Sequence, residues 1–231
     1  MTSIAANLKV IRDRIHSACS RCGREPSSVC LIGVTKTVPV HIVRAGVEAG
    51  LTVLGENYVQ EARAKMEQLS DLPITWHFIG HLQSNKARLA VESFDWIHTL
   101  DRASLARELD RQAHRHGRRV PVLLEINVGD EESKSGAPAQ EAKALFDLAS
   151  SLDGIAVRGL MALPPYEDDP EAVRPYFRKM RGLLEQLRQA AFRPEELTEL
   201  SMGMSHDFEV AIEEGATIIR VGTALFGPRL T

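Results

Sequence analysis

The stretch Val29-Cys-Leu-Ile-Gly-Val-Thr-Lys-Thr-Val-Pro39 contains a buried strand and the start of the helix that follows it. Residues 29–34 are apolar and rich in β-branched side chains, the composition of a strand covered on both faces. Pro39 has a fixed φ and no backbone N–H to lose, so it suits the first turn of a helix. That helix should run to about Ala49, where Gly50 closes it. One strand–helix unit is therefore readable directly.

Outward from this unit the alternation repeats. Further strands are expected at 52–55, 74–79, 96–99, 122–126, 155–160, 197–201 and 217–221. Between them, Val59, Ala62, Met66 and Leu69 mark one helical face, and a short helix surrounds Ala87. A Leu105/Leu109 helix has Asp101 as its expected N-cap. Helices follow at 142–152, 173–187 and 205–213, the last with Ser205 as cap. On the N-terminal side, Ile4, Leu8, Ile11 and Ile15 recur at helical spacing until Gly23 and Pro26 end the run.

Strands separated by helices, with no hairpin signal, indicate parallel βαβ units. Eight such strands close a barrel. The expected fold is α/β: a single-domain (β/α)8 barrel over residues 1–231, with an extra N-terminal helix. An open doubly wound sheet is the alternative, but it needs an edge strand, and no short charged strand is present. Only residues 227–231 follow strand eight, so the N-terminal helix is expected to cover the gap there.

Composition narrows the function. Of the 231 residues, 44% are hydrophobic and 26% charged, which is ordinary for a globular chain. Lys and Arg number 28 against 31 Asp and Glu, a net charge of −3 that offers no global field to nucleic acid. Three cysteines do not make a disulfide scaffold. No apolar run approaches a membrane span, and the N-terminus lacks a signal-peptide pattern. A cytoplasmic protein without a membrane partner is the expectation.

Two places carry chemistry. Lys36 stands at the C-terminal end of strand one, at the barrel mouth, where active sites of this fold lie. Desolvation there favours a neutral amine, which can attack an aldehyde and form a Schiff base. At the other end of the chain, Ser201-Met-Gly-Met-Ser-His-Asp207 and Arg220-Val-Gly-Thr-Ala224 follow strands seven and eight. Barrels often bind phosphate at those loops. Lys36 could equally be a surface lysine, and the glycines could merely turn the chain.

Other patterns are weaker. Residues 222–227 begin like a P-loop, but Pro228-Arg229 stand where Lys-Ser/Thr is required. Cys19-Ser-Arg-Cys22 has no second pair to make a zinc site. His77 and His81 share no helical face, so a metal site there is not expected. Arg111, Arg115, Arg118 and Arg119, with His114 and His116, read as a solvated helix end. The polar run 129–138 should be a loop on the catalytic face.

These motifs together resemble the pyridoxal 5′-phosphate (PLP) homeostasis proteins, also called PLP-binding proteins. They are Gly33-Val-Thr-Lys-Thr-Val-Pro39, Gly55-Glu-Asn-Tyr-Val-Gln-Glu61 and His77-Phe-Ile-Gly-His-Leu-Gln-Ser-Asn-Lys86, then Ser133-Lys-Ser-Gly136, Gly159-Leu-Met161, residues 201–207 and Arg220-Val-Gly-Thr-Ala-Leu-Phe-Gly227. The resemblance spans nearly the whole chain. It implies a barrel like the N-terminal domain of alanine racemase. Lys36 would form the internal aldimine with PLP, and Arg220 would face the pyridine nitrogen. Ser205, Gly222 and Thr223, with the amide near Met204, would hold the phosphate. Asn57 and Met161 would line the cofactor, with His81 nearby. Lys86 or Lys134 could assist exchange or hold a second cofactor.

The implied role is buffering or delivery of PLP, with PLP-dependent apoenzymes as partners and the chain a monomer or weak dimer. Catalysis is not expected. A cationic partner such as Arg220 keeps the pyridine nitrogen unprotonated and the electron sink weak, but alanine racemase has arginine in this place too, so the arginine alone does not exclude catalysis. Alanine racemase adds a second domain carrying an opposite-face tyrosine, and no counterpart is expected here; neither Tyr58 nor Tyr166 is placed across the cofactor by the sequence. A small racemase-like enzyme is the first rival reading, and a Schiff-base aldolase without PLP the second.

Overall fold

A computed structural model describes residues 3–129, 131 and 135–228. Residues 130 and 132–134 of the expected polar loop, Lys134 among them, lie outside the described residues.

Eight parallel strands form the barrel: β1 (Cys30–Val34), β2 (Val53–Glu56), β3 (Thr75–Phe78), β4 (Trp96–Leu100), β5 (Val120–Asn127), β6 (Ile155–Ala162), β7 (Glu199–Ser201) and β8 (Ile218–Val221). Each pairs with its sequence neighbour. Two pairings close the ring: β1 against β8, with Ile32 opposite Arg220, and β4 against β5, with Ile97 opposite Val122. The β4–β5 pairing removes the open-sheet alternative. A two-residue strand, Ala137–Pro138, adds to the end of β5 and had no signal in the sequence.

Helices surround the ring: α1 (Ile4–Arg21), α2 (Val40–Glu48), α3 (Val59–Gln68), α4 (Ala87–Ser93), α5 (Ala103–Arg115), α6 (Ala142–Ser150), α7 (Arg174–Ala190), α8 (Phe208–Glu213) and α9 (Thr223–Phe226). Ser3 caps α1 by accepting from the Ala6 amide at 3.2 Å. Leu8, Ile11 and Ile15 of α1 are buried, as their spacing predicts. α1 packs on α8 and α9, and Asn7 Nδ2 donates to the Leu225 carbonyl at 2.9 Å. With α9 only four residues long, α1 covers the wall beside β8.

Two expected caps are corrected. Arg102, not Asp101, occupies the N-cap of α5, and the Asp101 carboxylate accepts from Arg102 Nη1 at 2.6 Å instead. α8 starts at Phe208 rather than Ser205, with Asp207 at the N-cap. Ser205 turns away toward α9.

The apolar core has two parts. The larger lies between strands and helices; the smaller, of Ile32, Leu123, Met161 and Ile218, fills the barrel. Close strand approach depends on Gly159 in β6, whose φ is 156°. A Cβ there would lie 1.9 Å from the Glu199 carbonyl oxygen of β7, so only glycine permits this pairing.

Candidate functional site

A pocket of about 320 Å³ opens at the C-terminal ends of the strands. Lys36, Asn57, Met204, Ser205, Arg220, Gly222 and Thr223 line it, joined by Leu163, Tyr166 and His206. Adjacency of β1 and β8 brings residue 36 to residues 204–223. The structure leaves two predicted residues outside this lining. Met161 packs in the inner barrel cluster, and His81 is exposed, 3.6 Å from Asp101 and 3.3 Å from Ser135 Oγ. A larger groove of about 650 Å³, between Arg119, Phe146 and Phe192, lies near Ile155, at the start of β6. Barrel chemistry sits at the other strand end, so the smaller pocket is the candidate.

The backbone around Lys36 is tied down. Thr35 donates its amide to the Gly55 carbonyl at 2.9 Å and its hydroxyl to Glu56 Oε1 at 2.7 Å. Thr37 donates its amide to Glu61 Oε1 at 2.6 Å. Thr37 also has φ 61°, the left-handed region that a β-branched residue rarely enters. Such strain costs on the order of 1–3 kcal/mol and persists where surrounding structure over-determines it.

On the pocket's other side, Ser205 Oγ accepts from the amides of Gly222 at 3.2 Å and Ala224 at 3.3 Å. Thr223 Oγ1 lies 3.4 Å from the same oxygen. These amides open α9 and have no intrahelical acceptor. They offer a cradle for an oxygen-rich group. Gly203, with φ 92°, turns the chain so that the β7–α8 loop reaches it. Asp207, buried behind the loop, accepts from the Met204 amide at 2.6 Å, and burial pushes its carboxyl up.

Arg220 forms the buried floor. Its Nη1 donates to Ser201 Oγ at 2.6 Å and its Nη2 to the Ala162 carbonyl at 2.8 Å. Burial pulls the guanidinium down to about 10, which still leaves it protonated near neutral pH. Ser201 Oγ lies 3.0 Å from His98 Nδ1, and His98 Nε2 lies 2.8 Å from His77 Nδ1. His77 stacks on Trp96 with ring centroids 5.6 Å apart. Desolvation holds His77 down, to about 3, and His98 well below the usual histidine range, so both rings are neutral.

Arg220 can only donate, so Ser201 Oγ accepts from it, and one proton lies between the partners of each remaining contact, Ser201–His98 and His98–His77. Sequence reasoning assigns no role to His98 and takes in Ser201 only as the first residue of the 201–207 motif. The available signal was a polar residue on alternate positions of otherwise apolar strands, as in Trp76-His-Phe78 and Ile97-His-Thr99.

The weaker patterns fall as follows. Among the described residues no group of His, Cys, Asp and Glu has a metal-holding arrangement. Cys19 is buried and Cys22 half-buried, both as free thiols. Arg111 pairs with Glu108, and Arg118 binds the carbonyls of Val91 and Phe94, which gives the basic helix end structural partners. Residues 223–226 form α9, not a phosphate loop with a lysine. No described helix is long and apolar enough to cross a membrane. Tyr58 stands at the start of α3, while Tyr166 lines the pocket with its ring 5.5 Å from that of His206. Lys86 does not line the pocket.

Fold and site together define a class: a parallel barrel with one lysine at the end of β1 and an amide cradle after β8. The family profile described as "Alanine racemase, N-terminal domain" matches residues 2–229. The "Pyridoxal phosphate homeostasis protein" of Aquifex aeolicus is 48% identical over 96% of this chain and 96% of its own. The structure of PipY from Synechococcus elongatus with PLP bound superimposes with a TM-score of 0.85 at 42% identity, covering 97% of this chain and 100% of that one. A protein described as unknown, from Bifidobacterium adolescentis, superimposes with a TM-score of 0.91 at 36% identity, covering 96% of this chain and 94% of its own. The chain belongs to the pyridoxal phosphate homeostasis protein family.

Proposed function

We propose that this protein binds PLP covalently through Lys36 and holds it for intracellular PLP homeostasis, by buffering or by delivery to PLP-dependent apoenzymes. One observation carries the reading: a lysine amine and an amide cradle line one pocket of about 320 Å³, within the usual size range of small-molecule sites. The donor set fits PLP, which needs one amine, one anion site and one partner for its ring nitrogen. Asn57, in the pocket wall, adds a buried side-chain oxygen without a partner among the described residues.

When bound, PLP supplies an aldehyde for amine exchange and an electron-withdrawing ring. Ser205, Thr223 and the Gly222 amide would hold its phosphate, with the Met204 loop beside them fixed by its amide bond to Asp207. Arg220 would face the ring nitrogen and, being cationic, disfavour a proton there. Met161 and His81 are left out of the assignment because they do not line the pocket.

Borohydride reduction of the PLP-loaded protein, followed by peptide mapping, tests this. The expected result is one pyridoxyl-phosphate adduct, on Lys36, absent from Lys36→Ala. Adducts scattered over many lysines, or none, would end the reading. A racemase-like activity is favoured by Tyr166, which shares the pocket with Lys36. It requires α-proton exchange of an amino acid in deuterated water, dependent on Lys36 and lost in Tyr166→Phe.

A further inference from the structure

We propose that Lys65 is a positioning residue for Lys36: it joins Glu56 and Glu61 into a clamp on the backbone either side of Lys36, and so sets how fast Lys36 takes up and releases its aldehyde ligand. This rests on the reading that Lys36 holds PLP.

Lys65 projects from α3 and is only 5% exposed. Its ammonium uses all three donors: Glu56 Oε1 at 2.7 Å, Glu61 Oε1 at 2.7 Å and the Thr35 carbonyl. Each carboxylate then reaches a neighbour of residue 36. Glu56 Oε1 accepts the Thr35 hydroxyl, and Glu61 Oε1 accepts the Thr37 amide. A buried ion pair alone is weak evidence of anything beyond packing. Here three of the five bonds end on residue 35 or 37 and the other two join Lys65 to the carboxylates, and residue 37 holds a left-handed φ that a threonine adopts only under constraint. Lys65 ties both carboxylates to one point, so the two flanks of Lys36 cannot relax independently.

The reaction affected is condensation. The Lys36 amine adds to the aldehyde carbon, one C=N bond forms and one water leaves; release is the reverse hydrolysis, and nothing is oxidised or reduced. Its rate depends on the angle and distance at which the amine is presented. Binding of the phosphate and ring does not.

Two variants test the clamp without leaving a lone buried charge. Glu61→Ala cuts the Thr37 tether at a side chain that is 29% exposed. Lys65→Met with Glu56→Gln removes the hub and its buried counter-charge together. In both, the rate of C=N formation with PLP, followed by absorbance, should fall roughly tenfold, the effect of losing one or two tethers. Glu61→Gln keeps the acceptor oxygen and should stay within about twofold of wild type. Affinity for 4′-deoxypyridoxine 5′-phosphate, which has no aldehyde, should be unchanged throughout.

Unchanged rates in both folded variants would overturn the clamp. So would a parallel loss of analogue affinity, which would mean that the pocket itself had collapsed. If wild-type protein gives no adduct on Lys36, the cofactor reading fails and this one with it; an adduct on Lys36 with unaltered rates removes the clamp alone.

Discussion

Arg220 Nη1 lies 2.6 Å from Ser201 Oγ, and that contact orients a line of side chains across the inside of the barrel. Ser201 joins the guanidinium to the imidazoles, accepting from Arg220 and sharing a proton with His98 Nδ1. Replacing it with alanine leaves Arg220 Nη1 and His98 Nδ1 buried without that partner. An unpaired bond to a charged group costs about 1.5–3 kcal/mol. For a chain of this length, each kcal/mol moves Tm by about 2–4 °C. Ser201→Ala should therefore melt several degrees below wild type in a calorimetric scan. An unchanged Tm would show that the line is not tightly coupled to the fold.

The interior titrates in two opposing directions. His77 is held at about 3, against 6.5 when unfolded. Below pH 6.5 the unfolded chain takes up this proton and the native chain does not, so stability is lost as pH falls. At pH 5 the loss from His77 is about 2 kcal/mol relative to neutral pH. Glu125 runs the other way. Burial, with Asp101 nearby, pushes it up from 4.5 to about 7, so its contribution is present below pH 4.5 and lost as pH rises through 7. That loss reaches about 3 kcal/mol at pH 8. Urea unfolding from pH 4 to 8 separates the two. His77→Asn should flatten the acid side by up to about 1.4 kcal/mol per pH unit, and Glu125→Gln should remove the alkaline decline.

Much of the barrel was legible because parallel strands are buried on both faces and leave unbroken apolar runs, as at residues 29–34. Lys36, Arg220 and the 201–207 and 220–224 loops were legible because strand ends define the mouth. What escaped depends on partners distant in sequence. Ser205 looks locally like a cap for the helix after it, yet its oxygen serves the amides of residues 222 and 224. Lys65 follows Glu61 at the spacing of an ordinary surface pair, and only the packing of α3 against β2 buries it. His98 meets Ser201 through the ring closure of the strands, which periodicity does not encode. Met161 shares a strand end with site residues, but its side chain packs into the inner apolar cluster.

The amide cradle can be tested by removing its hydroxyls. Ser205 and Thr223 should each contribute one charge-assisted bond to a bound phosphate, worth about 1.5–3 kcal/mol when partly buried. Ser205→Ala with Thr223→Ala should weaken PLP retention by about a hundredfold or more in equilibrium dialysis. The adduct on Lys36 should still form at saturating PLP, because the amine is untouched. Unaltered affinity in the double variant would remove the phosphate assignment and leave the cradle in need of another ligand.

Gly80 offers the last test, because it supports Asn57 from behind. A Cβ at residue 80 would lie 2.3 Å from the Asn57 carbonyl oxygen and 2.6 Å from its Cα. These are backbone atoms, so the collision cannot be relieved by a rotamer change; the β2–α3 segment carrying Asn57 must shift. Overpacking of this kind costs about 1–3 kcal/mol. Gly80→Ala should thus lower both Tm and PLP affinity. Ile11→Val, in α1, provides the control: it costs about 0.5–1.5 kcal/mol of burial without touching the pocket wall. If Asn57 shapes the site, Gly80→Ala loses PLP affinity while Ile11→Val keeps it. Equal affinities in the two variants would mean that the wall at Asn57 does not contact the ligand.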